Sequence, residues 1–250
     1  MPSKDARYQR FIVLRDVGKD GLKRIRAAKV AVVGIGGLGS ISATKFTTLG
    51  VDHLRIIDPD VVDASNLQRQ FLYREKDIGK PKTALATRRL QPLNPEVTIE
   101  PRQEQLAEET VDELIRGMDI IVDGLDRFGP RYIINRACVR QGIPYAFAGA
   151  LGAVGNLTTI LPGKTPCLEC IYGGVDDARQ PTCDTIGIYP TLLGVVANIQ
   201  VHEAVRILLG KKPRLAGHLL FIDLNDLRFD QIPIAYYADC PVCSSIRRSV

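Results

Sequence analysis

Two Cys-x-x-Cys pairs in the last third of the chain are the residues best suited to bind a metal. Cys167 and Cys170 form one pair, and Cys240 and Cys243 form the other. Because each pair can direct two sulfurs at the same ion, the four thiolates predict one tetrahedral, structural zinc site. Four cysteine ligands fill the coordination shell, so a catalytic zinc is disfavoured. Disulfides or free thiols are the alternative, and the absence of a secretory signal argues against disulfides.

A glycine cluster after a predicted strand is typical of a site that binds a nucleotide phosphate. Its glycines are Gly34, Gly36, Gly37 and Gly39. Glycines allow a tight turn and let backbone N–H groups approach phosphate at the positive end of a helix. Asp58 and Asp60 end the next predicted strand, where Asp58 can accept hydrogen bonds from a ribose. These residues alone would predict NAD binding, and a tight turn without a ligand is the other interpretation.

Three further groups favour chemistry at phosphate over hydride transfer. Polar donors follow the second predicted strand at Ser65, Asn66, Gln68 and Arg69. Lys82 is expected in the first turn of a helix, from which its ammonium can reach a phosphate. Asp126 follows a central strand, at the edge of the sheet where α/β proteins bind ligands. An arginine, a lysine and a metal-binding carboxylate are what displacement at phosphorus requires, although each could be an ordinary surface charge.

With these motifs in order, the sequence resembles the ubiquitin-activating-enzyme superfamily. The motifs Gly-x-Gly-Gly-Leu-Gly, Asn-Leu-Gln-Arg-Gln, Gly-x-Pro-Lys and Asp-x-x-Asp occur at 34–39, 66–70, 79–82 and 123–126. The likeness is greatest to the MoeB, ThiF and HesA branch, which contains molybdopterin-synthase and sulfur-carrier adenylyltransferases. Arg7-Tyr-x-Arg10 and the two cysteine pairs also match, so the resemblance extends over residues 7–243.

The resemblance implies an enzyme that uses ATP and Mg²⁺ to adenylate a carrier protein. Its substrate would be the C-terminal glycine carboxylate of a small ubiquitin-like or sulfur-carrier protein ending in Gly-Gly, and pyrophosphate would be released. Carried over by position, the loop around Gly37 would hold the nucleotide and Asp58 its ribose. Ser65, Asn66 and Arg69 would contact ribose and phosphates. Attack of a carboxylate on the α-phosphate needs alignment and charge neutralisation more than covalent help.

The resemblance also gives roles to residues outside the glycine loop. Lys82 would stabilise charge on the phosphates, and Asp126 would hold Mg²⁺. Arg10 would reach the γ-phosphate bound by a partner subunit, which implies a homodimer. Cys183 lies where parts of the family carry a cysteine that accepts the acyl group or takes part in sulfur transfer, and an incidental exposed thiol is the alternative. Cys138, on the apolar face of a predicted helix, is expected in the core.

Arg127 departs from the family pattern, which commonly has asparagine after the second aspartate of the motif. An arginine cannot accept hydrogen bonds from adenine or ribose as an amide can. Our hypothesis is that Arg127 is an added phosphate ligand. An Arg127→Asn variant with unchanged ATP affinity would argue against it.

The elements that must position these residues alternate between strands and helices up to residue 150. Predicted strands lie at 29–33, 53–57, 97–100, 119–122 and 145–148. Predicted helices lie at 19–28, at 107–116 and at 128–141, with two more that end near 49 and 90. This alternation predicts a parallel sheet with helices on both faces.

The pattern changes after residue 150. Antiparallel strands are predicted at 155–161, 219–223 and 228–232, with a long loop at 162–189 and a helix at 190–209. The expected fold class is therefore α/β, a Rossmann-like sheet continued by antiparallel strands and a zinc-stapled C-terminal lobe. We expect residues 1–250 to form a single adenylation domain. Its sublobes would be 1–150, which binds the nucleotide, and 151–250, which binds the carrier and holds the zinc site and a crossover loop.

Composition narrows the class of partner. The 250 residues are 45% hydrophobic with a net charge of +5, enough for a large core and only mildly basic. No stretch reaches the roughly 18 apolar residues of a membrane span, and without a secretory signal we expect a cytoplasmic protein. Basic residues lack interleaved aromatics, so a nucleic-acid partner is disfavoured. No rhodanese-like domain is appended, so any sulfur donor would be a separate protein.

The same nucleotide site is also compatible with other functions. One is a related enzyme that adenylates a tRNA base or a peptide, and another is a catalytically inactive nucleotide-binding partner subunit. An NAD oxidoreductase is the most distant alternative.

Overall fold

A mixed eight-stranded sheet forms the centre of the computed structural model, which describes residues 6–246. Its strands are β1 Lys29–Val33, β2 His53–Ile57, β3 Thr98–Arg102, β4 Ile120–Asp123, β5 Tyr145–Leu151, β6 Val154–Ile160, β7 His218–Asp223 and β8 Arg228–Pro233. Their spatial order is β3-β2-β1-β4-β5-β6-β7-β8. Strands β1 to β5 pair in parallel, whereas β5 to β8 pair antiparallel. The predicted parallel sheet with an antiparallel continuation is confirmed.

Helices cover both faces of this sheet. They are α1 Gln9–Ile12, α2 Gly18–Ile25, α3 Gly37–Leu49, α4 Lys82–Leu90, α5 Val111–Ile115, α6 Phe128–Gln141, α7 Leu168–Tyr172, α8 Cys183–Ile186 and α9 Pro190–Leu208. On one face Phe46 of α3 and Val201 of α9 pack with Val32 of the central strand. On the other face Leu114 of α5 and Ile134 of α6 pack together in a second core. Apolar strands with cover on both faces are what a parallel sheet requires.

The predicted helix at 107–116 is shorter in the structure, where α5 begins at Val111. Residues 107–110 form a turn instead, because the Thr110 hydroxyl donates to the carbonyl of Gln105 and accepts from the N–H of Ala107. Such local side-chain bonds offer the backbone an alternative to the helix.

The segment predicted as a long loop at 162–189 contains short helices. Helix α7 begins directly after Cys167, and α8 begins at Cys183 behind a capping box formed by Thr182 and Thr185. A 3-10 turn at Asp177–Arg179 lies between them. The glycines and prolines of this segment keep each helix to about one turn, which hides the helical period in the sequence.

The antiparallel strands β6, β7 and β8 form one end of the sheet. Strand β6 pairs with β7, and β7 with β8, so residues 218–233 extend the sheet that β1 to β5 begin. The hairpin turn that joins β7 to β8 contains Asn225 and Asp226. Among residues 6–246, no helix combines the length and apolar character needed to span a bilayer.

Candidate functional site

The turn between β1 and α3 needs glycine because it passes very close to the turn after β4. Gly34 has a φ of +87°, in the left-handed region. A Cβ on Gly34 would lie 2.6 Å from the carbonyl oxygen of Gly124, and one on Gly39 would lie 1.8 Å from that of Gly34. No side chain fits at either position, so these two glycines are required for backbone packing.

Gly36 and Gly37 lie at the N-terminus of α3, where no side chain caps the helix. A Cβ on Gly37 would lie 2.5 Å from Leu193, whereas one on Gly36 would make an ordinary contact of 3.5 Å with Gln70. The first N–H groups of a helix have no acceptor within it and carry partial positive charge. This turn therefore has the geometry of an anion site, with Gly36 leaving the most room.

The Asp58 carboxylate is tied to the glycine turn. Its Oδ2 accepts from the N–H of Ile35 at 2.7 Å, and its Oδ1 accepts from the N–H of Asp60 at 2.8 Å. Burial raises the pKa of Asp58, and the charge of Lys82 opposes that shift. The predicted ribose contact would use the remaining lone pairs of the same oxygens, while the bond to Ile35 fixes the shape of the turn.

Lys82 is buried and aimed at the edge of the sheet. Its Nζ donates to Oδ2 of Asp60 at 2.8 Å, and its backbone N–H donates to the carbonyl of Asp60 at 3.0 Å. As predicted, Lys82 begins a helix, α4. Pro81 is the residue immediately before this helix.

The segment that follows β2 holds its polar residues in a compact loop. A 3-10 turn at Ala64–Asn66 is capped by Asp63, which accepts from the N–H of Ser65. The Arg69 guanidinium donates to the carbonyl of Ser65 at 2.8 Å. Asn66 donates to the Ser65 hydroxyl over 3.4 Å, and Gln68 is exposed. These residues form a surface loop beside the glycine turn, with Arg69 half-buried.

A buried polar network underlies the Asp-x-x-Asp motif. The Asp123 carboxylate accepts from the N–H of Leu125 at 2.7 Å, from Arg131 Nε at 3.0 Å and from the Tyr145 hydroxyl at 2.7 Å. Gln200 of α9 donates to the Asp123 carbonyl at 2.8 Å. Because the three side-chain donors Arg131, Tyr145 and Gln200 are nearly or fully buried, the network fixes the backbone at the carboxyl end of β4.

Asp126 and Arg127 lie just beyond this network and are exposed. Arg131 donates to the carbonyl of Leu125, the residue before Asp126. The first aspartate of the motif is therefore structural, and the second presents its carboxylate to solvent. Arg127 occupies the N-cap position of α6 without capping the helix through its side chain.

Cys183 begins α8 and lies among charged residues of the predicted site. Burial raises the pKa of its thiol, the charge of Arg69 lowers it, and the charge of Asp126 raises it. The charges of Arg69 and Asp126 thus both act on the Cys183 thiol. The net rise in pKa keeps Cys183 as a thiol in this conformation, so the geometry supplies proximity to the site without activation of the sulfur.

Arg10 lies exposed on α1. The preceding residues fix this helix to the body, since the hydroxyl of buried Tyr8 accepts from Asn94 at 2.8 Å and Arg7 donates to the carbonyl of Leu93 at 2.6 Å. An exposed arginine on an anchored helix can act on another molecule, which is what the predicted role across a dimer requires.

The four predicted metal ligands come together as one cluster. All four sulfurs of Cys167, Cys170, Cys240 and Cys243 lie within 4.8 Å of one another. Cys167 and Cys240 are 3.6 Å apart, and Cys170 and Cys243 are 3.5 Å apart, too far for disulfides. Ligands at zinc–sulfur distance on a tetrahedron are about 3.8 Å apart, so the cluster fits that ion. Cys138 is buried in the core as predicted, and burial raises the pKa of its thiol.

Comparison with known proteins agrees with this arrangement. The model of the ThiF family matches residues 8–242. The chain belongs to the ThiF family. It is 37% identical over 238 residues to the SAMP-activating enzyme E1 of Haloferax volcanii, covering 95% of this chain and 88% of that relative. It is 36% identical over 244 residues to the sulfur carrier protein adenylyltransferase of Thermus thermophilus, covering 95% and 90%.

A solved structure shares the fold. The crystal structure of E. coli MccB superposes with a TM-score of 0.85 at 22% identity, covering 99% of this chain and 75% of that one. At that identity the likeness shows a shared fold only. The sequence-based assignment to the MoeB, ThiF and HesA branch is confirmed by relatives named as sulfur carrier adenylyltransferases and as HesA proteins.

The sequence did not predict the residues that hold the backbone of the candidate site in place. Arg131, Tyr145 and Gln200 hold the end of β4, and Asp63 caps the polar loop. A signal for Arg131 was present, because it shares a helical stripe with the buried residues Ile134 and Cys138 at spacings of three and seven. A charged residue on an apolar stripe predicts a buried ion pair.

Proposed function

We propose that this protein uses ATP to adenylate the C-terminal glycine carboxylate of a small ubiquitin-like or sulfur-carrier protein, with release of pyrophosphate. The observation that carries the proposal is the family match over residues 8–242, with relatives named as adenylyltransferases of such carriers. The reaction serves sulfur transfer or ubiquitin-like conjugation. The arrangement of a glycine turn, a buried lysine and an exposed aspartate at one edge of the sheet suits this chemistry.

The reaction is an in-line displacement at the α-phosphorus. A carboxylate oxygen of the carrier forms the new bond to phosphorus, and the bond to the bridging oxygen of the β-phosphate breaks. Negative charge moves onto the departing pyrophosphate, so donors aimed at the phosphates lower the barrier. Lys82 and Arg69 supply positive charge, and the first N–H groups of α3 bind phosphate oxygens. Ser65, Asn66 and Gln68 contact ribose and phosphates from the neighbouring loop.

Asp126 is the residue that would hold Mg²⁺. A single exposed carboxylate fits this ion, which is usually bound through one or two carboxylates together with substrate phosphates. When bound, Mg²⁺ supplies positive charge at the phosphate oxygens. Arg127 lies beside Asp126 and serves as an additional phosphate ligand. Asp58 and Asp60 orient the glycine turn and Lys82 around the nucleotide.

Zn²⁺ would be held by Cys167, Cys170, Cys240 and Cys243. Four thiolates leave no open position, so its part is to stabilise the fold. Residues 1–250 act as a single adenylation domain, with sublobe 1–150 binding the nucleotide and sublobe 151–250 binding the carrier. Reduced thiols favour the cytoplasm as the compartment in which the protein works.

The protein acts as a homodimer in which Arg10 of one subunit reaches the γ-phosphate at the other. The exposure of Arg10 on an anchored helix supports this arrangement. Cys183 lies where an acyl group on the adenylated carrier could be accepted or sulfur transferred, and a separate protein would donate the sulfur.

Carrier-dependent exchange of labelled pyrophosphate into ATP tests the proposal. Carriers ending in Gly-Gly should support exchange, and the same carriers lacking the last glycine should not. Exchange without any carrier would contradict the assigned substrate, and no exchange with any Gly-Gly carrier would contradict the activity.

A further inference from the structure

The segment 173–187 is attached to α6 through one acidic side chain. Asp177 Oδ1 accepts from the N–H of Phe128 at 2.6 Å, and its Oδ2 accepts from the N–H of Gly129 at 2.8 Å. Phe128 and Gly129 are the first two residues of α6, a helix of 14 residues. One carboxylate thus binds both leading N–H groups from 49 and 48 positions away in the chain.

This contact replaces the cap that α6 lacks locally. The residue at the N-cap position is Arg127, whose side chain accepts no hydrogen bond from the helix. Helix N-termini prefer Ser, Thr, Asp or Asn there, because a side-chain oxygen satisfies a free N–H. A carboxylate at this end also interacts favourably with the helix dipole. Asp177 provides both effects across the fold, so the contact joins two separate segments.

Neighbouring groups strengthen the attachment. The N–H of Val175 donates to the Tyr132 hydroxyl at 3.3 Å, and that hydroxyl donates to the carbonyl of Tyr172. The rings of Phe128 and Tyr172 lie 5.2 Å apart between centroids. Residues 172–177 therefore follow the first two turns of α6.

The far end of the segment is tied to the sheet. The N–H of Gly152 in the β5–β6 turn donates to the carbonyl of Gly187 at 2.9 Å, and the N–H of Tyr189 donates to the carbonyl of Gly152 at 3.0 Å. Cys183 lies between this attachment and the one at Asp177, so both ends of its segment are fixed.

We infer that Asp177 is a positioning residue that fixes the segment carrying Cys183 by binding the N-terminus of α6. Loss of its charge frees the near end of the segment and lets the half-buried thiol move into solvent. The far attachment, which is made by backbone groups, stays. The residue acts through the segment and has no contact with the nucleotide loop in this structure.

Alkylation of Cys183 tests this inference without any substrate. Full-length, zinc-loaded protein is treated with iodoacetamide, and labelling at each cysteine is followed by peptide mass spectrometry. The Asp177→Asn variant keeps the shape, removes the charge and replaces one of the two acceptor oxygens by an N–H₂ donor, so Cys183 should label about fivefold faster, as expected for loss of one hydrogen bond at this helix end. Asp176→Asn is the matched control, because the bonds of Asp176 stay within its own turn, to the N–H of Ala178 and to Arg179, so the variant should leave the rate unchanged.

A second variant perturbs the contact from the opposite side. A Cβ on Gly129 would lie 3.1 Å from Asp177 Oδ2, so in Gly129→Ala the carboxylate must shift by a few tenths of an ångström, while alanine favours the helix. Faster labelling of Cys183 in both variants supports the inference. Wild-type rates in both, or equal acceleration in Asp176→Asn, would overturn it. Cys138 is buried, so it is labelled only when the whole fold opens. If Cys138 is labelled in Asp177→Asn, that variant has unfolded, and the rate at Cys183 in Gly129→Ala tests the inference instead.

Kinetic measurements distinguish an effect on carrier binding from an effect on ATP binding, and they rest on the proposed function. In pyrophosphate exchange, Asp177→Asn should change the KM for the carrier by about threefold or more, because one hydrogen bond to the start of α6 is lost, and should leave the KM for ATP unchanged. An equal change in the KM for ATP would overturn the positioning role of Asp177. Absence of exchange in the wild-type protein would count against the proposed function alone, since the alkylation rates decide the role of Asp177 independently.

Discussion

Lys82 Nζ lies 2.8 Å from Asp60 Oδ2, and the two side chains differ in exposure, with 6% for Lys82 and 62% for Asp60. A buried ammonium requires a charged partner, and here the partner faces solvent. The aspartate therefore holds the lysine in place at the edge of the sheet while leaving the pair open to a phosphate. This arrangement explains how an almost fully buried lysine can serve a nucleotide that arrives from outside.

Replacing Lys82 should remove catalysis without unfolding the protein. Lys82→Met keeps most of the apolar stem and removes the charge, and the exposed Asp60 can be hydrated instead. We expect carrier-dependent pyrophosphate exchange to fall about 100-fold, as for loss of one preorganised donor in a phosphate or oxyanion site. Lys80→Met is the control, because Lys80 is exposed and donates to the carbonyl of Lys76. Equal losses in the two variants would show that general charge, and not Lys82, matters.

Tyr145→Phe should destabilise the fold through the buried Asp123 carboxylate. The variant removes one of three donors to a fully buried acceptor, at a cost of about 2 kcal/mol. Urea unfolding measures the change in the free energy of unfolding. Tyr189→Phe is the matched control, since Tyr189 is 60% exposed and should change little. Equal stabilities of Tyr145→Phe and the wild type would mean that the hydroxyl does not support the carboxylate.

The cysteine cluster should bind about one zinc per chain, as a four-thiolate structural site does. Metal analysis of purified protein gives the stoichiometry, and thermal unfolding before and after chelation gives the stabilisation. Cys240→Ser should lose the metal and lower the Tm, because a ligand is missing and the chain end is no longer tied to α7. Cys183→Ser should retain both zinc and Tm. Zinc loss from Cys183→Ser, or full zinc in Cys240→Ser, would contradict the ligand assignment.

The alkylation rate of Cys183 should rise with pH around a midpoint above the ordinary thiol value of 9.0, because burial raises the pKa. Because the pKa is raised, Cys183 stays protonated at pH values where an ordinary thiol loses its proton, and the reactive thiolate forms only at higher pH. Asp126→Asn removes a charge that raises the pKa and should lower the midpoint, whereas Arg69→Ala should raise it. A wild-type midpoint below about 8.5 would contradict the burial argument.

The parallel part of the sheet could be predicted because strands and helices alternate regularly up to β5. The four cysteines could be placed together for a different reason: two Cys-x-x-Cys turns suit one ion irrespective of the fold between them. The length of α5 and the helices α7 and α8 could not be predicted, since side-chain bonds at Thr110 and Thr182 decide where such short helices begin.

The residues of the site that face a ligand were easier to predict than those that support it. Lys82 and Asp126 stand in recognisable motifs, whereas Gln200 and Tyr145 reach the end of β4 from distant elements through tertiary packing. Asp177 illustrates the same limit, because its partner at the start of α6 lies 48 residues away. Contacts of that range leave no local pattern in a single sequence.

The most direct measurement follows the fate of the α-phosphate. The protein is incubated with a Gly-Gly carrier and ATP labelled at either the α- or the γ-phosphate, and the carrier is isolated under acid conditions that preserve an acyl-adenylate. Adenylation predicts label on the carrier from α-labelled ATP only, with the γ-label recovered in pyrophosphate, and no label on a carrier lacking the last glycine. Label on the carrier from γ-labelled ATP, or from neither nucleotide, would contradict the account.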